Sequence, residues 1–126
     1  MPSKRFGPGY WRLAAVELNI SCPNIKEGGI TFGCSLTGTF EVVSAVRKVT
    51  RLPIIPKLTP NVTDVASFAR ASEDAGADAV SLVNTFLAMV IDVESRRPKI
   101  SNIVCGLSGP AIRPIPCVWC TSAGRW

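Results

Sequence analysis

Residues 19–24, Asn-Ile-Ser-Cys-Pro-Asn, combine two carboxamides, a hydroxyl and a thiol directly after the short apolar run 14–18. Pro23 has no backbone N–H, so it ends sheet pairing at this point. At the carboxyl end of a strand, the Cys22 thiol can accept a proton while Asn19 and Asn24 hold a planar substrate rich in amide groups. A buried cysteine beside a turn is the structural alternative that this segment alone leaves open.

Histidine is absent from the 126 residues, which limits the available chemistry. The chain can form no Ser-His-Asp triad, Cys-His pair or histidine-ligated metal site, so an enzymatic base would be Cys, Lys, Asp, Glu or Tyr. Cys117 and Cys120 form a lone CxxC pair without the second pair that a zinc site needs. We therefore predict no metal, and the five irregularly spaced cysteines favour free thiols in a reducing cytoplasm.

The charge distribution argues against nucleic-acid and membrane partners. The formal net charge is +5, but the basic residues are scattered and aromatic residues make up only 7% of the chain. A nucleic-acid surface needs clustered basic side chains, which this sequence lacks. The apolar runs fall well short of the ~20 residues of a membrane span. A hydrophobic content of 47% in 126 residues instead predicts one modest globular domain.

Short apolar runs alternate with helical patterns in the first two thirds of the chain. Strands are predicted at residues 16–20, 54–58 and 79–83. Helices are predicted at about 38–51 and 63–76. Strands that alternate with helices and are apolar on both faces predict a parallel sheet with right-handed crossovers.

Both helical patterns carry signals for their ends and their inner faces. We expect Thr37 or Thr39 to cap the first helix, whose inner face should contain residues spaced by three: Phe40, Val43, Val46 and Val49. Thr63 or Asp64 begins the second helix and Gly76 ends it, and its inward-facing residues are Val65, Phe68 and Ala69.

Polar residues lie at the end of each predicted strand. They are Asn19, Lys57 and Asn84. Ligands bind at the carboxyl edge of the strands in both barrels and doubly wound sheets. We therefore expect Cys22, Lys57 and Asn84 to converge on one shared rim of the sheet.

The last third of the chain is irregular. We predict a buried extended segment at 86–93, a hairpin within 91–100, and a helix that begins at Pro110 or Ala111. Gly106 and Gly109 flank a hydroxyl and allow close backbone approach to a ligand, with an ordinary turn as the alternative. Residues 116–126 show no helical periodicity.

Taken in order, five segments resemble the class 1 dihydroorotate dehydrogenases. They are Glu17–Asn24, Gly28–Gly29 with Phe32–Gly33, Lys57–Asp64, Asn84–Thr85 and Gly106–Pro114. Residues 89–98 favour the heterotetrameric, NAD-linked type. The resemblance covers a family-like core at 16–115, whereas 1–12 and 116–126 do not match the family.

The resemblance implies a (β/α)₈ TIM barrel with FMN at the carboxyl end of its strands. Such a barrel takes roughly 250 residues, so this chain is expected to be a single incomplete α/β domain with about three central βα units. The implied reaction is the oxidation of (S)-dihydroorotate to orotate in de novo pyrimidine (UMP) biosynthesis. A proton leaves carbon 5 and a hydride leaves carbon 6 for the flavin.

The resemblance also assigns residues to roles. Cys22 matches the catalytic base, and the substrate-binding positions are Asn19, Asn24, Asn84 and Thr85. The FMN-binding positions are Lys57, Val83, Thr85, Gly106 and Ser108. The implied partners are dihydroorotate and orotate, further copies of the full-length parent, and an electron-transfer subunit with FAD and a 2Fe-2S cluster.

Several features depart from the family pattern. Cys105 stands where the family normally has a glycine close to the flavin, and Ser35 replaces an acidic residue. Open sheet edges on a partial barrel favour oligomerisation or aggregation. We therefore expect the isolated chain to be inactive and to bind FMN weakly or not at all. The alternatives are a dihydropyrimidine dehydrogenase-type flavin domain and a non-catalytic truncated α/β fragment.

Overall fold

The computed structural model describes residues 13–21 and 33–123, of which 122 and 123 are described by their backbone alone. Its strands are β1 (Val16–Asn19), β2 (Ile54–Leu58), β3 (Ser81–Leu82), β4 (Phe86–Ala88), β5 (Ile91–Asp92), β6 (Arg97–Pro98) and β7 (Cys105–Leu107). Its α-helices are α1 (Leu36–Arg47), α2 (Val65–Asp74) and α3 (Pro114–Ala123), with a 3₁₀ turn at Pro110–Ile112.

The first three strands form one parallel sheet in the order β1-β2-β3. Asn19 lies opposite Lys57, and Lys57 lies opposite Ser81. Helices α1 and α2 connect these strands in the pattern of βαβ units. The mixed α/β class and the parallel sheet predicted from the sequence are confirmed, and the arrangement is consistent with part of a TIM barrel.

The two faces of this sheet differ in character. Along β2, residues Ile54, Pro56 and Leu58 are buried, whereas Ile55 and Lys57 between them are half-buried. Leu58 belongs to the hydrophobic core, a cluster that the sheet forms with α2. The buried members of this cluster are Ile20, Leu58, Val65, Phe68 and Ala69. Because successive side chains of a strand point to opposite faces, the helices cover one face and the polar strand-end residues lie on the other.

Helix α1 differs from its prediction in bounds, cap and inner face. It spans Leu36–Arg47, and its N-cap is Ser35, whose Oγ accepts a hydrogen bond from the Gly38 backbone N at 3.3 Å. Thr37 and Thr39 lie inside the helix, so the predicted cap was wrong. The ring of Phe40 is exposed, and Val49 lies beyond the helix end. Residues spaced by three drift by about 60° per step around a helix of 3.6 residues per turn, so four such residues, which span three steps, cannot share one face.

Helix α2 confirms its prediction. Asp64 is the N-cap, and its side chain accepts hydrogen bonds from the backbone N of Ala66 and Ser67. Val65 and Phe68 are among the buried residues. Just beyond the C-cap, Gly76 has a φ of +96°, a left-handed conformation that favours glycine.

Two antiparallel pairs follow the parallel sheet. The β5–β6 hairpin pairs Ile91 with Pro98, which confirms the predicted hairpin. Strand β4 pairs with β7. The segment 86–93 was predicted to be buried, and this was wrong for most of its large apolar side chains: Leu87, Met89, Val90, Ile91 and Val93 are exposed. An apolar run cannot by itself distinguish burial from an uncovered surface.

Helix α3 occupies Pro114–Ala123. The predicted start at Pro110 or Ala111 is a 3₁₀ turn, so the α-helix begins a few residues later. It continues through residues 116–123, where the sequence showed no helical periodicity. Pro114 and Pro116 fall in its first turn, where a missing N–H leaves no helical hydrogen bond unmade. The Trp119 ring stacks on Phe86, with ring centroids 5.9 Å apart. Tertiary contacts therefore support this helix. None of the helices in the described part of the chain has the length and apolar character needed to cross a bilayer.

Candidate functional site

The carboxyl edge of the parallel sheet brings together several predicted site residues. Asn19 ends β1 and lies opposite Lys57 of β2 in the parallel ladder. Paired residues of neighbouring strands project their side chains to the same face. Asn19 and Lys57 therefore share the face that the helices leave open.

Asn84 joins this edge from the segment after β3. Its Nδ2 donates hydrogen bonds to Asn19 Oδ1 at 3.1 Å, to the Ser21 carbonyl O at 3.2 Å and to Ser21 Oγ at 3.0 Å. Its backbone N donates to the Leu58 carbonyl O at 2.8 Å. Its own Oδ1 accepts a hydrogen bond from the Thr85 backbone N at 2.8 Å. The side chain is thus held at a defined place on the rim.

Ser21 ties the rim to β2 and was not among the predicted site residues. Its buried side chain donates from Oγ to the Lys57 carbonyl O at 3.1 Å. The same Oγ accepts from Asn84, so one hydroxyl links the ends of three strand segments. Its position directly before Cys22 in the polar hexapeptide was the available signal.

Glu17 is a second residue that the sequence did not single out. Its Oε1 lies 3.2 Å from Lys57 Nζ, with side-chain exposures of 48% and 26% respectively. Glu17 precedes Asn19 by two positions, and this spacing on a strand places both on one face. The Lys57 ammonium is therefore oriented by a carboxylate and still reaches solvent at the rim.

Thr85 lies against β7. A Cβ added to Gly106 would lie 2.8 Å from Thr85 Cβ, which is too close for two carbon atoms. Gly106 pairs with Leu87 in the β4–β7 ladder. The absence of a side chain at 106 thus serves the packing of Thr85.

Of the remaining predicted positions, the structure describes Val83 and Ser108. Val83 is half-buried in the segment after β3, and Ser108 is exposed just after β7. Cys105 is half-buried and pairs with Ala88. Cys22 and Asn24 lie outside the described residues, so their convergence with Lys57 and Asn84 stays a prediction.

Comparison with known proteins agrees with the family resemblance seen in the sequence. A family model described as dihydroorotate dehydrogenase matches residues 11–120. The match extends beyond the core 16–115 on which the sequence resemblance rested.

Individual relatives are similar over most of this chain. The catalytic subunit of dihydroorotate dehydrogenase B (NAD(+)) from Desulforudis audaxviator is 60% identical over 103 residues, which cover 82% of this chain and 34% of that protein. The proteins of the same name from Brachyspira hyodysenteriae and Phocaeicola vulgatus are 59% and 56% identical, and the chain covers 35% and 34% of their lengths. The chain therefore spans about a third of the curated relatives that it matches.

Proposed function

The chain belongs to the dihydroorotate dehydrogenase family, and we propose that it is a segment of a catalytic subunit that oxidises (S)-dihydroorotate to orotate. This reaction is a step of de novo pyrimidine biosynthesis. The observation that carries the proposal is the convergence of the Asn19 and Asn84 carboxamides, 3.1 Å apart, on the open face of the sheet.

The chemistry of these groups suits a dihydropyrimidine. A carboxamide donates through its nitrogen and accepts through its oxygen, so a pair of them can match ring N–H and carbonyl groups. Asn84 Oδ1 accepts one hydrogen bond, from the Thr85 backbone N, and keeps a second lone pair for a substrate N–H, while its Nδ2 is bound to Asn19 and Ser21. Asn84 therefore orients Asn19, whose side chain is exposed at the rim. We assign Asn19, Asn24, Asn84 and Thr85 to substrate binding.

Cys22 is the proposed base, which takes the proton from carbon 5 of the substrate. Its preceding residue, Ser21, is held by hydrogen bonds to Asn84 and Lys57. The ordinary pKa of a cysteine thiol is about 8.5, which is close enough to neutral pH for the thiolate to serve as a base after a modest decrease.

The Lys57 side chain is a charged donor at the rim whose chemistry suits FMN. The Lys57 ammonium is half-buried on the open face, where a cation favours an electron-rich ring system. We assign FMN contacts to Lys57, Val83, Thr85, Gly106 and Ser108. When bound, the cofactor supplies an acceptor for the hydride from carbon 6. Gly106 would contribute through its backbone, because its Cα side is filled by Thr85.

The wider proposal concerns the full-length parent. The sheet described here leaves β1 and β3 with unpaired edges within residues 13–21 and 33–123, so the segment alone is expected to be inactive and to bind FMN poorly. We propose that the full-length parent forms homo-oligomers in the cytoplasm. Its electrons would pass to a partner subunit that carries FAD and a 2Fe-2S cluster.

A graft tests this function. Residues 13–123 would replace the equivalent segment of a full-length relative, here called the grafted subunit. We expect FMN retention and oxidation of dihydroorotate but not reduction of uracil, and Cys22→Ser should abolish turnover while FMN is retained. Cys34→Ser, at an exposed thiol, is the matched control. Full activity of the Cys22→Ser variant, or uracil reduction in place of dihydroorotate oxidation, would contradict the proposal.

A further inference from the structure

We propose that Asn61 is a positioning residue of this site, which holds the segment 84–87 in place by pairing with its backbone as a neighbouring strand would. This role rests on the proposed function, because it acts through Asn84 and Thr85. Asn61 lies in the loop after β2, within the segment Lys57–Asp64 that carries the family resemblance.

The contacts of the Asn61 side chain have a specific pattern. Its Nδ2 donates to the Thr85 carbonyl O at 3.0 Å, and its Oδ1 accepts from the Leu87 backbone N at 3.0 Å. In a parallel ladder, one residue bonds in the same way to the C=O and N–H of two residues that are two positions apart. The carboxamide therefore takes the place of the N–H and C=O of one strand residue opposite Phe86.

Asn61 is itself fixed by Thr59. The Asn61 backbone N and Nδ2 both donate to Thr59 Oγ1, at 3.1 and 3.3 Å. Thr59 directly follows β2 and is buried. The amide plane is thus tied to the end of the same strand that carries Lys57.

The Asn61 contacts matter because the pairing between β2 and β3 ends before the segment 84–87. Strands β2 and β3 pair only at Lys57–Ser81 and Leu58–Leu82. Beyond them, the Asn84 backbone N bonds to the Leu58 carbonyl O, and Asn61 then holds Thr85 and Leu87. The residues whose side chains reach the rim are therefore fixed on both sides. Asn61 sets the orientation of Asn84 and Thr85 relative to Lys57.

The test compares variants in the grafted subunit. Asn61→Ala removes both bonds, and Asn61→Asp keeps an acceptor for Leu87 but places an oxygen against the Thr85 carbonyl. We expect both to raise the KM for dihydroorotate about tenfold, with a smaller loss of kcat, since net hydrogen-bond contributions are modest. FMN content should stay close to that of the unsubstituted grafted subunit, and Tm should fall by about 2–4 °C. Asn102→Ala, at an exposed asparagine in another loop, should change none of these values.

Two outcomes would overturn the role of Asn61. One is an unchanged KM in both variants. If Asn61 had only a general structural role, its substitution would reduce the fraction of active enzyme, so kcat would fall while KM stayed the same. The other is unchanged amide hydrogen exchange at Leu87 when Asn61→Ala is made in the 126-residue chain. If the unsubstituted grafted subunit failed to oxidise dihydroorotate, the proposed function would fail alone, and exchange at Leu87 would still decide the Asn61 contact.

Discussion

Asn19 and Asn84 are 65 positions apart, yet the Nδ2 of Asn84 lies 3.1 Å from the Oδ1 of Asn19. Asn19 ends β1 and Asn84 follows β3, and these two strands are separated by β2 in the sheet. The hydrogen bond therefore passes over the carboxyl end of β2 and joins strands that are not neighbours. It makes the end of the sheet one polar surface.

The first prediction concerns the donor of this bond. Asn84→Ala should lower the free energy of unfolding by about 1–3 kcal/mol, because the side chain makes several hydrogen bonds that each contribute about 1 kcal/mol net. Asn84→Asp should cost more, because its oxygen would face the Asn19 and Ser21 acceptors. Urea unfolding of the 126-residue chain measures both, with Asn102→Asp as the control. Equal stability of the Ala and Asp variants would contradict the assigned orientation of the amide.

The second prediction concerns pH and the cap of α2. The hydrogen bond from the Ser67 hydroxyl is the main cause that lowers the pKa of Asp64, helped by the backbone N–H groups of Ser67 and Ala66. A carboxylate whose pKa is lower in the folded state contributes stability above its unfolded pKa, and this is lost as pH falls through the folded value.

The corresponding experiment compares Asp64→Asn with the unsubstituted chain. Asparagine keeps a cap acceptor but carries no charge, so its stability should fall less between about pH 6 and about pH 2.5. Asp74→Asn is the control. It also removes one carboxylate from α2, but at the C-terminal end, where a carboxylate cannot accept hydrogen bonds from the free N–H groups of the first turn. The idea fails if Asp64→Asn and the unsubstituted chain lose stability in parallel over this range.

The third prediction concerns the contact between Gly106 and Thr85. Gly106→Ala should destabilise the chain by about 1–3 kcal/mol, because the new Cβ overlaps the Thr85 side chain. The double variant Gly106→Ala/Thr85→Ala should recover part of this loss, since it removes Oγ1 and Cγ2 but keeps Cβ. Thermal unfolding measures the three variants. Simple additivity of the two single effects would argue against direct contact.

The fourth prediction separates two valines of the predicted inner face of α1. Val43 is fully buried, whereas Val49 is 84% exposed. Val43→Ala should cost about 2 kcal/mol through lost burial and the cavity left behind. Val49→Ala should stay within about 0.5 kcal/mol of the unsubstituted chain. Comparable losses at both sites, measured by urea unfolding, would show that the three-residue spacing was the better guide to burial.

Much of the fold follows from local signals in the sequence. The run Ile54–Leu58 is a strand at its predicted bounds. Asp64 and Gly76 mark the two ends of α2 because a carboxylate can cap free N–H groups and glycine tolerates a positive φ. Asn19, Lys57 and Asn84 could be placed at strand ends because the strands themselves were recognisable. These features depend on residues a few positions apart.

Other features depend on distant residues. Helix α3 contains Pro114 and Pro116 and has no regular apolar spacing, but its Trp119 stacks on Phe86. The Glu17–Lys57 ion pair joins residues 40 positions apart. The bonds from the Asn61 side chain to Thr85 and Leu87 span 24 and 26 positions.

The sequence alone therefore determined the parallel sheet, the position of α2 and the polar residues at the strand ends, because propensity, capping and turn geometry act locally along the chain. The tertiary structure alone decided which face of α1 is buried, that α3 continues through residues 116–123, and which partner each rim side chain binds. These depend on contacts that arise only when the chain has folded, since hydrogen bonding and burial act between neighbours in space.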